Sequence, residues 1–246
     1  MQWGADMTLL RLLNLLAASA LLATTAQATE LAPVAGAASA PPAPWRVVGI
    51  PVAGKPLTQF SVEEAAGKRA VRVDAERSYG NLVHAVSPGT GLKHLSWQWR
   101  IEKLNEAADL RERQGDDTTL KVCVSFDMPQ ENVPLMERPV LAIARSRSSE
   151  PIPNATVCYV WDNKLAVGTT LDNAFTRRMR YMVLQSGAAG AQDWKSEQRD
   201  VAADFLRLFG SESSTVPPIV SVAIGADADN TKGHSVGHVT GIALAP

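Results

Sequence analysis

Only two cysteines occur among 246 residues, so no paired C-x-x-C motif for zinc or redox chemistry can be assembled. Neither sign of charge dominates: 24 basic side chains stand against 25 acidic ones. The resulting net charge of −1 excludes the basic footprint of a nucleic-acid binder and the charge excess of a disordered chain. Also missing are the G-x-S-x-G elbow, the H-E-x-x-H helix, the G-x-x-x-x-G-K-[ST] loop and the dinucleotide-binding fingerprint, along with the enzyme classes that depend on them. Beyond the N-terminus no stretch approaches 18 uninterrupted apolar residues, so no later membrane span is expected.

What is present is 46% hydrophobic residues, enough for a core, with 17 Gly and 15 Pro suited to many turns. Arg11 precedes an apolar run from Leu12 to Ala23 and then Ala26-Gln27-Ala28, the pattern of a signal peptide over residues 1–28. Met7 is an alternative start, because Asp6 is foreign to a basic leader. Loss of residues 1–28 removes Asp6 and Arg11 and leaves the charge at −1, and no Cys stands near the cleavage point to carry a lipid. A periplasmic or secreted protein with no membrane span after cleavage is expected. Residues 29–44, TELAPVAGAASAPPAP, read as an extended Ala/Pro-rich linker with nothing to contribute to a core. A single domain is then expected over residues 45–246.

Within that domain several segments alternate with period two. Leu95, Trp97, Trp99 and Ile101 share one face, as do Leu120, Val122, Val124 and Phe126, and Val157, Tyr159 and Trp161. Further strands are expected at Trp45–Ile50, Ala70–Asp74, Val140–Ala144, Arg178–Gln185, Ile219–Gly225 and Val239–Leu244. Between Asp193 and Gly210 the spacing of Trp194, Val201, Phe205, Leu208 and Phe209 predicts an amphipathic helix near residues 194–209, capped by Asp193 or Ser196. Many strands and one helix point to an antiparallel β-sandwich of the jelly-roll type. Cys123 and Cys158 fall mid-strand on faces opposite the expected core, as two half-cystines on neighbouring strands would, and export permits a bridge.

The order Trp97-Gln98-Trp99-Arg100, Gly115-Asp116-Asp117, Cys158-Tyr159-Val160-Trp161, Trp194 with Glu197, Arg199 and Asp200, Phe209-Gly210, and Ala223 through Thr231 resembles a bacterial exported family, domain of unknown function 3047. The resemblance covers the chain from roughly Trp45 onward and implies no particular reaction. Where that family tends to carry Tyr-Tyr-Gly-Asp, this sequence has His238-Val239-Thr240-Gly241, so a site built on that Asp would be altered here.

Asp227, Asp229 and Asn230 follow an apolar strand, and alternate oxygen-bearing side chains in a turn can converge on calcium. The same pattern suits a plain Asx-rich turn, and no EF-hand is completed, since Lys232 and His238 stand where Gly and Glu would be needed. Asp116 and Asp117 form a second carboxylate pair, able to join Asp227 and Asp229 only if the fold brings the two segments together. Arg199 is either part of a solvated face or a partner for one of these carboxylates. His234 and His238 are four apart, but Gly233 and Gly237 oppose the helix that a zinc pair would require. Trp194 is a candidate stacking platform for a sugar. These residues support a non-catalytic β-sandwich binding an envelope or extracellular glycan, with two alternatives: a carboxylate-dependent glycan hydrolase or lyase, and a structural module that binds another envelope protein.

Overall fold

A computed structural model describes residues 31–49, 55–88, 91–148 and 150–246. The expected signal peptide lies outside the described residues. Among them the chain forms β1 (Arg46–Val48), β2 (Gln59–Ala65), β3 (Lys68–Glu76), β4 (Tyr79–Ala85), β5 (His94–Lys103) and β6 (Leu120–Phe126). After α1 (Arg138–Arg147) come β7 (Ala155–Asp162), β8 (Thr170–Asp172), β9 (Met179–Ser186) and β10 (Lys195–Asp200). Then follow α2 (Val201–Phe209), β11 (Ile219–Asp227) and β12 (His234–Ala245).

The strands form two sheets, ordered β1-β4-β11-β6-β7-β9-β8 and β10-β5-β12-β3-β2, packed as a jelly-roll-like β-sandwich. All neighbouring pairs are antiparallel except β7 and β9. After Asp162 the chain crosses to the sheet edge as β8, and β9 then fills the gap between them, so it must run with β7. No helix of the described residues is long and apolar enough to cross a membrane.

Alternation places the core where the sequence puts it. Leu95, Trp97, Trp99 and Ile101 are all buried. Trp97 meets Trp99 edge-on with ring centroids 5.4 Å apart, Tyr159 lies 5.3 Å from Trp97, and Trp161 lies 5.8 Å from Trp99. Such pairs add about 0.5–1.5 kcal/mol each to the burial of the rings. In β6 and β7, however, the outward face is buried too. There Leu110, Cys123, Cys158, Val160, Tyr181 and Val183 form a smaller cluster, with Leu165 and Leu171 packed against it from the β7–β9 connection. Cys123 and Cys158 stand directly opposite one another in the ladder and are joined by a disulfide.

Three expectations are corrected. Residues 195–200 are a strand: Lys195 through Asp200 pair with Trp99 back to His94 on β5, because their alternation of inward and outward side chains completes a sheet edge. The helix therefore begins at Val201, and its cap is Asp200, which accepts from the Ala203 amide at 2.9 Å. Val201, Phe205 and Phe209 are the buried stripe of α2, with Phe205 4.7 Å from Phe126. Residues 140–144 are helical within α1, since a short apolar run carries no period of its own and Pro139 in the first turn favours helix initiation.

The segment read as a linker is docked on the sandwich from Leu31 onward. Leu31 and Val34 are buried, and the Trp45 indole N–H donates to the Ala32 carbonyl at 2.9 Å. Arg69 donates to the carbonyls of Gly36, Ala37 and Ala38, which fixes backbone that has no regular structure of its own.

Candidate functional site

The two aspartate segments meet. Because β11 and β6 are antiparallel neighbours, the end of β11 lies beside the start of β6. Asp227 Oδ1 accepts from the Thr118 amide at 2.6 Å and from the Thr118 hydroxyl, while Oδ2 accepts from Lys121 Nζ at 3.0 Å. Asp117 accepts from the amides of Asn230 (3.1 Å) and Thr231 (2.8 Å) and from the Thr231 hydroxyl at 2.5 Å. The Asn230 carboxamide donates to the Asp116 carbonyl at 2.9 Å, and the Asp116 carboxylate is held by Asn173 and, at 3.3 Å, by the Tyr181 hydroxyl. Asp116, Asp117, Lys121, Tyr181 and Asp227 are all at most 5% exposed.

Burial without enough countercharge sets the electrostatics of this cluster. Desolvation, with the nearby Asp227 charge, pushes the Asp116 carboxyl up to about 6, against the opposing pull of Lys121 and its two donors. Asp117 is also raised by burial, in spite of the Thr231 and Asn230 bonds. Burial by itself would lower the Lys121 ammonium, but Asp227, Tyr79 and Asp116 together hold it above its ordinary value. The ammonium also lies 5.3 Å from the centre of the Tyr79 ring.

A pH dependence follows. Asp116 binds its proton more tightly when folded, near 6, than when unfolded, near 3.8. Its favourable contribution is therefore complete below pH 4 and is lost as pH rises from about 4 to about 6. Asp116→Asn keeps an acceptor for Asn173 and removes the penalty, so at pH 7 the variant is expected to be more stable by roughly 1–3 kcal/mol, the gain vanishing near pH 4. Urea midpoints of the two proteins across pH 4–8 measure it; parallel curves would show that Asp116 titrates normally.

The residues read from the turn as calcium ligands are engaged with partners inside the fold. Asp227 is committed to Thr118 and Lys121, Asp229 pairs with Lys55, and Asn230 uses its carboxamide as a donor. Two lysines already supply the positive charge that a cation would have brought. Among the described residues no group of three or more His, Cys, Asp and Glu side chains is arranged to hold a metal ion.

Arg199 joins none of these aspartates. It makes two bonds to Asp204 on α2, at 2.9 and 2.6 Å, and Asp204 also accepts from the Tyr159 hydroxyl at 2.8 Å. Glu197 accepts from the Trp99 indole at 3.1 Å and from Gln185 at 2.8 Å. His234 contacts Asp74 and Lys103, and His238 contacts Glu63, so the two imidazoles share a sheet face but no partner.

Trp194 lies elsewhere, half-buried at the start of β10, its indole N–H donating to the Ala66 carbonyl at 3.3 Å. Lys68 Nζ lies 5.4 Å from the ring centre and donates to Gln98 Oε1 at 2.5 Å. Beside it, on the outward face of the five-stranded sheet, Ser96, Gln98, Ser196, Gln198 and Thr240 line a groove of about 620 Å³. Their register puts Ser196 opposite Gln98, Gln98 opposite Thr240, and Gln198 opposite Ser96.

Sequence reasoning missed Lys121, Tyr79, Asn173, Tyr181 and Asn105, whose carboxamide donates to the Thr231 hydroxyl at 2.9 Å. Lys121 carried one readable signal, a cation near the start of a largely apolar strand; the others carried none.

The architecture and the sites together define a two-layer β-sandwich with a polar cluster buried on the outer face of one sheet and an open groove on the other. The family described as protein of unknown function (DUF3047) matches residues 43–243, and the chain belongs to that family. No curated protein matches the chain. Among solved structures it is similar to TmCBM61 in complex with β-1,4-galactotriose, at 12% identity and a TM-score of 0.35 over 82% of this chain and 88% of that one. It is also similar to Trichoderma harzianum endoglucanase 3 from family GH12, at 11% identity and a TM-score of 0.40 over 83% and 98%. A family 12 xyloglucanase from Bacillus licheniformis gives 7% identity and a TM-score of 0.44 over 80% and 90%.

Proposed function

We propose that the protein is an exported, non-catalytic β-sandwich that binds an envelope or extracellular glycan in the groove beside Trp194. The observation that carries this reading is the composition of that groove. Hydroxyl and carboxamide side chains on β10, β5 and β12 line its floor together with Lys68 and Arg69, and Lys68, which bonds Gln98, places its ammonium 5.4 Å from the centre of the Trp194 ring beside it. A sugar ring offers an apolar C–H face to stack on an indole and hydroxyls to bond to such a floor. The pattern of Arg11, an apolar run from Leu12 to Ala23 and Ala26-Gln27-Ala28 supports export. The carboxylates considered for a hydrolase or lyase support binding over turnover, because Asp116, Asp117 and Asp227 are buried and committed to donors inside the fold.

The test is a panel of envelope and extracellular polysaccharides titrated calorimetrically against wild type, Trp194→Ala and Gln98→Ala with Gln198→Ala. Each variant is expected to weaken binding of the glycan that wild type prefers by about tenfold or more, since a stacked ring and a pair of amide contacts each contribute about 1–2 kcal/mol. The melting temperature should hold. Unchanged affinity in both variants would refute the groove as the binding surface, and turnover of the same polysaccharide by wild type would place the protein among the hydrolases or lyases.

A further inference from the structure

We infer that α1 is a docking surface for an anionic lipid bilayer. Its orientation is the reverse of an ordinary surface helix, which turns its apolar stripe to the core and its charges to water. Only Leu141 faces in. Met136, Val140 and Ile143, spaced four and three apart, are 88%, 68% and 53% exposed, and Leu135 beside them is 72% exposed. Four large aliphatic side chains within nine residues form a patch, which isolated exposed residues do not.

Two of the three arginines of α1, Arg138 and Arg145, are turned the other way. Arg138 donates to the carbonyls of Val133 and Glu131, both at 2.8 Å. Arg145 donates to the Ile152 carbonyl, Asn154 Oδ1 and Gln130 Oε1. These bonds clamp the helix to the sandwich through neutral oxygens, and among the described residues neither guanidinium is in an ion pair. Arg147 lies one turn beyond Ile143, and the helix from Arg138 to Arg147 contains no acidic residue. Glu137 at its start is already paired with Arg178 at 2.7 Å, and Glu150 beyond its end with Arg46 at 2.7 Å.

An exposed aliphatic stripe with three arginines on its helix, Glu137 and Glu150 being paired and Glu131 the exposed carboxylate beside it, leaves a net positive charge that matches the boundary between anionic headgroups and acyl chains. A basic helix lies in that plane with its apolar residues buried about 5–10 Å deep, and each cation near the surface adds to the attraction. A neutral apolar protein surface would use the stripe but not the charge. This inference is independent of the glycan groove, which lies on the five-stranded sheet.

The test uses the full chain with an environment-sensitive fluorophore on Ile143→Cys, the native cysteines being occupied by their disulfide. Mixed with vesicles of phosphatidylglycerol and phosphatidylcholine at low salt, the probe should shift to the blue, whereas a probe on Val216→Cys, exposed elsewhere, should not. Pure phosphatidylcholine should leave the position-143 signal unchanged. In the unlabelled chain, Val140→Asp and Arg147→Glu are expected each to lower the fraction floated with anionic vesicles about tenfold. Both positions are exposed, so folding is preserved. Reporting from position 143 separates docking by α1 from any contribution of residues 1–30. An unshifted probe on anionic vesicles would overturn the inference, as would a dimer that Val140→Asp converts to monomer, which would show that a second copy covers the face.

Discussion

Lys121→Met is expected to destabilise the fold by about 3–5 kcal/mol at pH 7, seen as a fall in the urea midpoint at unchanged slope. Lys121 is 1% exposed, and its ammonium faces Asp227 Oδ2 at 3.0 Å and the ring of Tyr79. Methionine fills the space of the stem but leaves Asp227 buried with only the Thr118 donors, beside an Asp116 carboxyl that its charge already raises. Asp116 should then hold its proton to a pH above 6, because Lys121 is one of the influences that lower it. The cost should therefore shrink as pH falls and the neighbouring carboxyls become neutral.

A double-mutant cycle separates the worth of the ion pair from the penalty of breaking it. Lys121→Met combined with Asp227→Asn removes both charges, and it is expected to recover about half of the loss. Additive single effects would show that the two side chains do not interact, and a loss below about 1 kcal/mol for Lys121→Met would show that water reaches the ammonium.

This cluster also shows where sequence reading stops. Trp97, Trp99 and Trp161 were legible as core because one face of each strand is covered by the other sheet, and period-two alternation records that directly. Cys123 and Cys158 were legible for the same reason, both lying off the core face of strong strands. That Asp117 would bond to Asn230 and Thr231 depends on β11 lying beside β6, and strand order leaves no trace in local spacing. Residues 195–200 were misread because Trp194 and Val201 happen to stand a helical interval apart, while the signal that mattered, Glu197 and Arg199 inward against Ser196 and Gln198 outward, is polar on both faces. Leu31 and Val34 were lost among alanines and prolines, yet two apolar side chains and a run of carbonyls offered to Arg69 suffice to dock them.

Reduction of Cys123–Cys158 is expected to lower stability by about 2–4 kcal/mol, by a mechanism that differs from the loss of Lys121. The bridge closes a loop with a sequence separation of 35, so its main effect is to restrict the unfolded chain, for which loop-closure entropy gives roughly 4 kcal/mol as an upper figure. In the folded state β6 and β7 are paired along their whole length and packed against Leu110, Tyr181 and Val183, contacts that do not run through the bond. Both sulfurs are in buried residues, so a reductant acts on the unfolded form, and incubation in denaturant with reductant precedes the measurement. The reduced unfolded chain is more expanded, which predicts a steeper urea dependence together with a lower midpoint. Lys121→Met, acting within the folded state, should move the midpoint alone. If reduction leaves both midpoint and slope unchanged, the bond constrains nothing that the β6–β7 ladder does not already hold in the denatured chain.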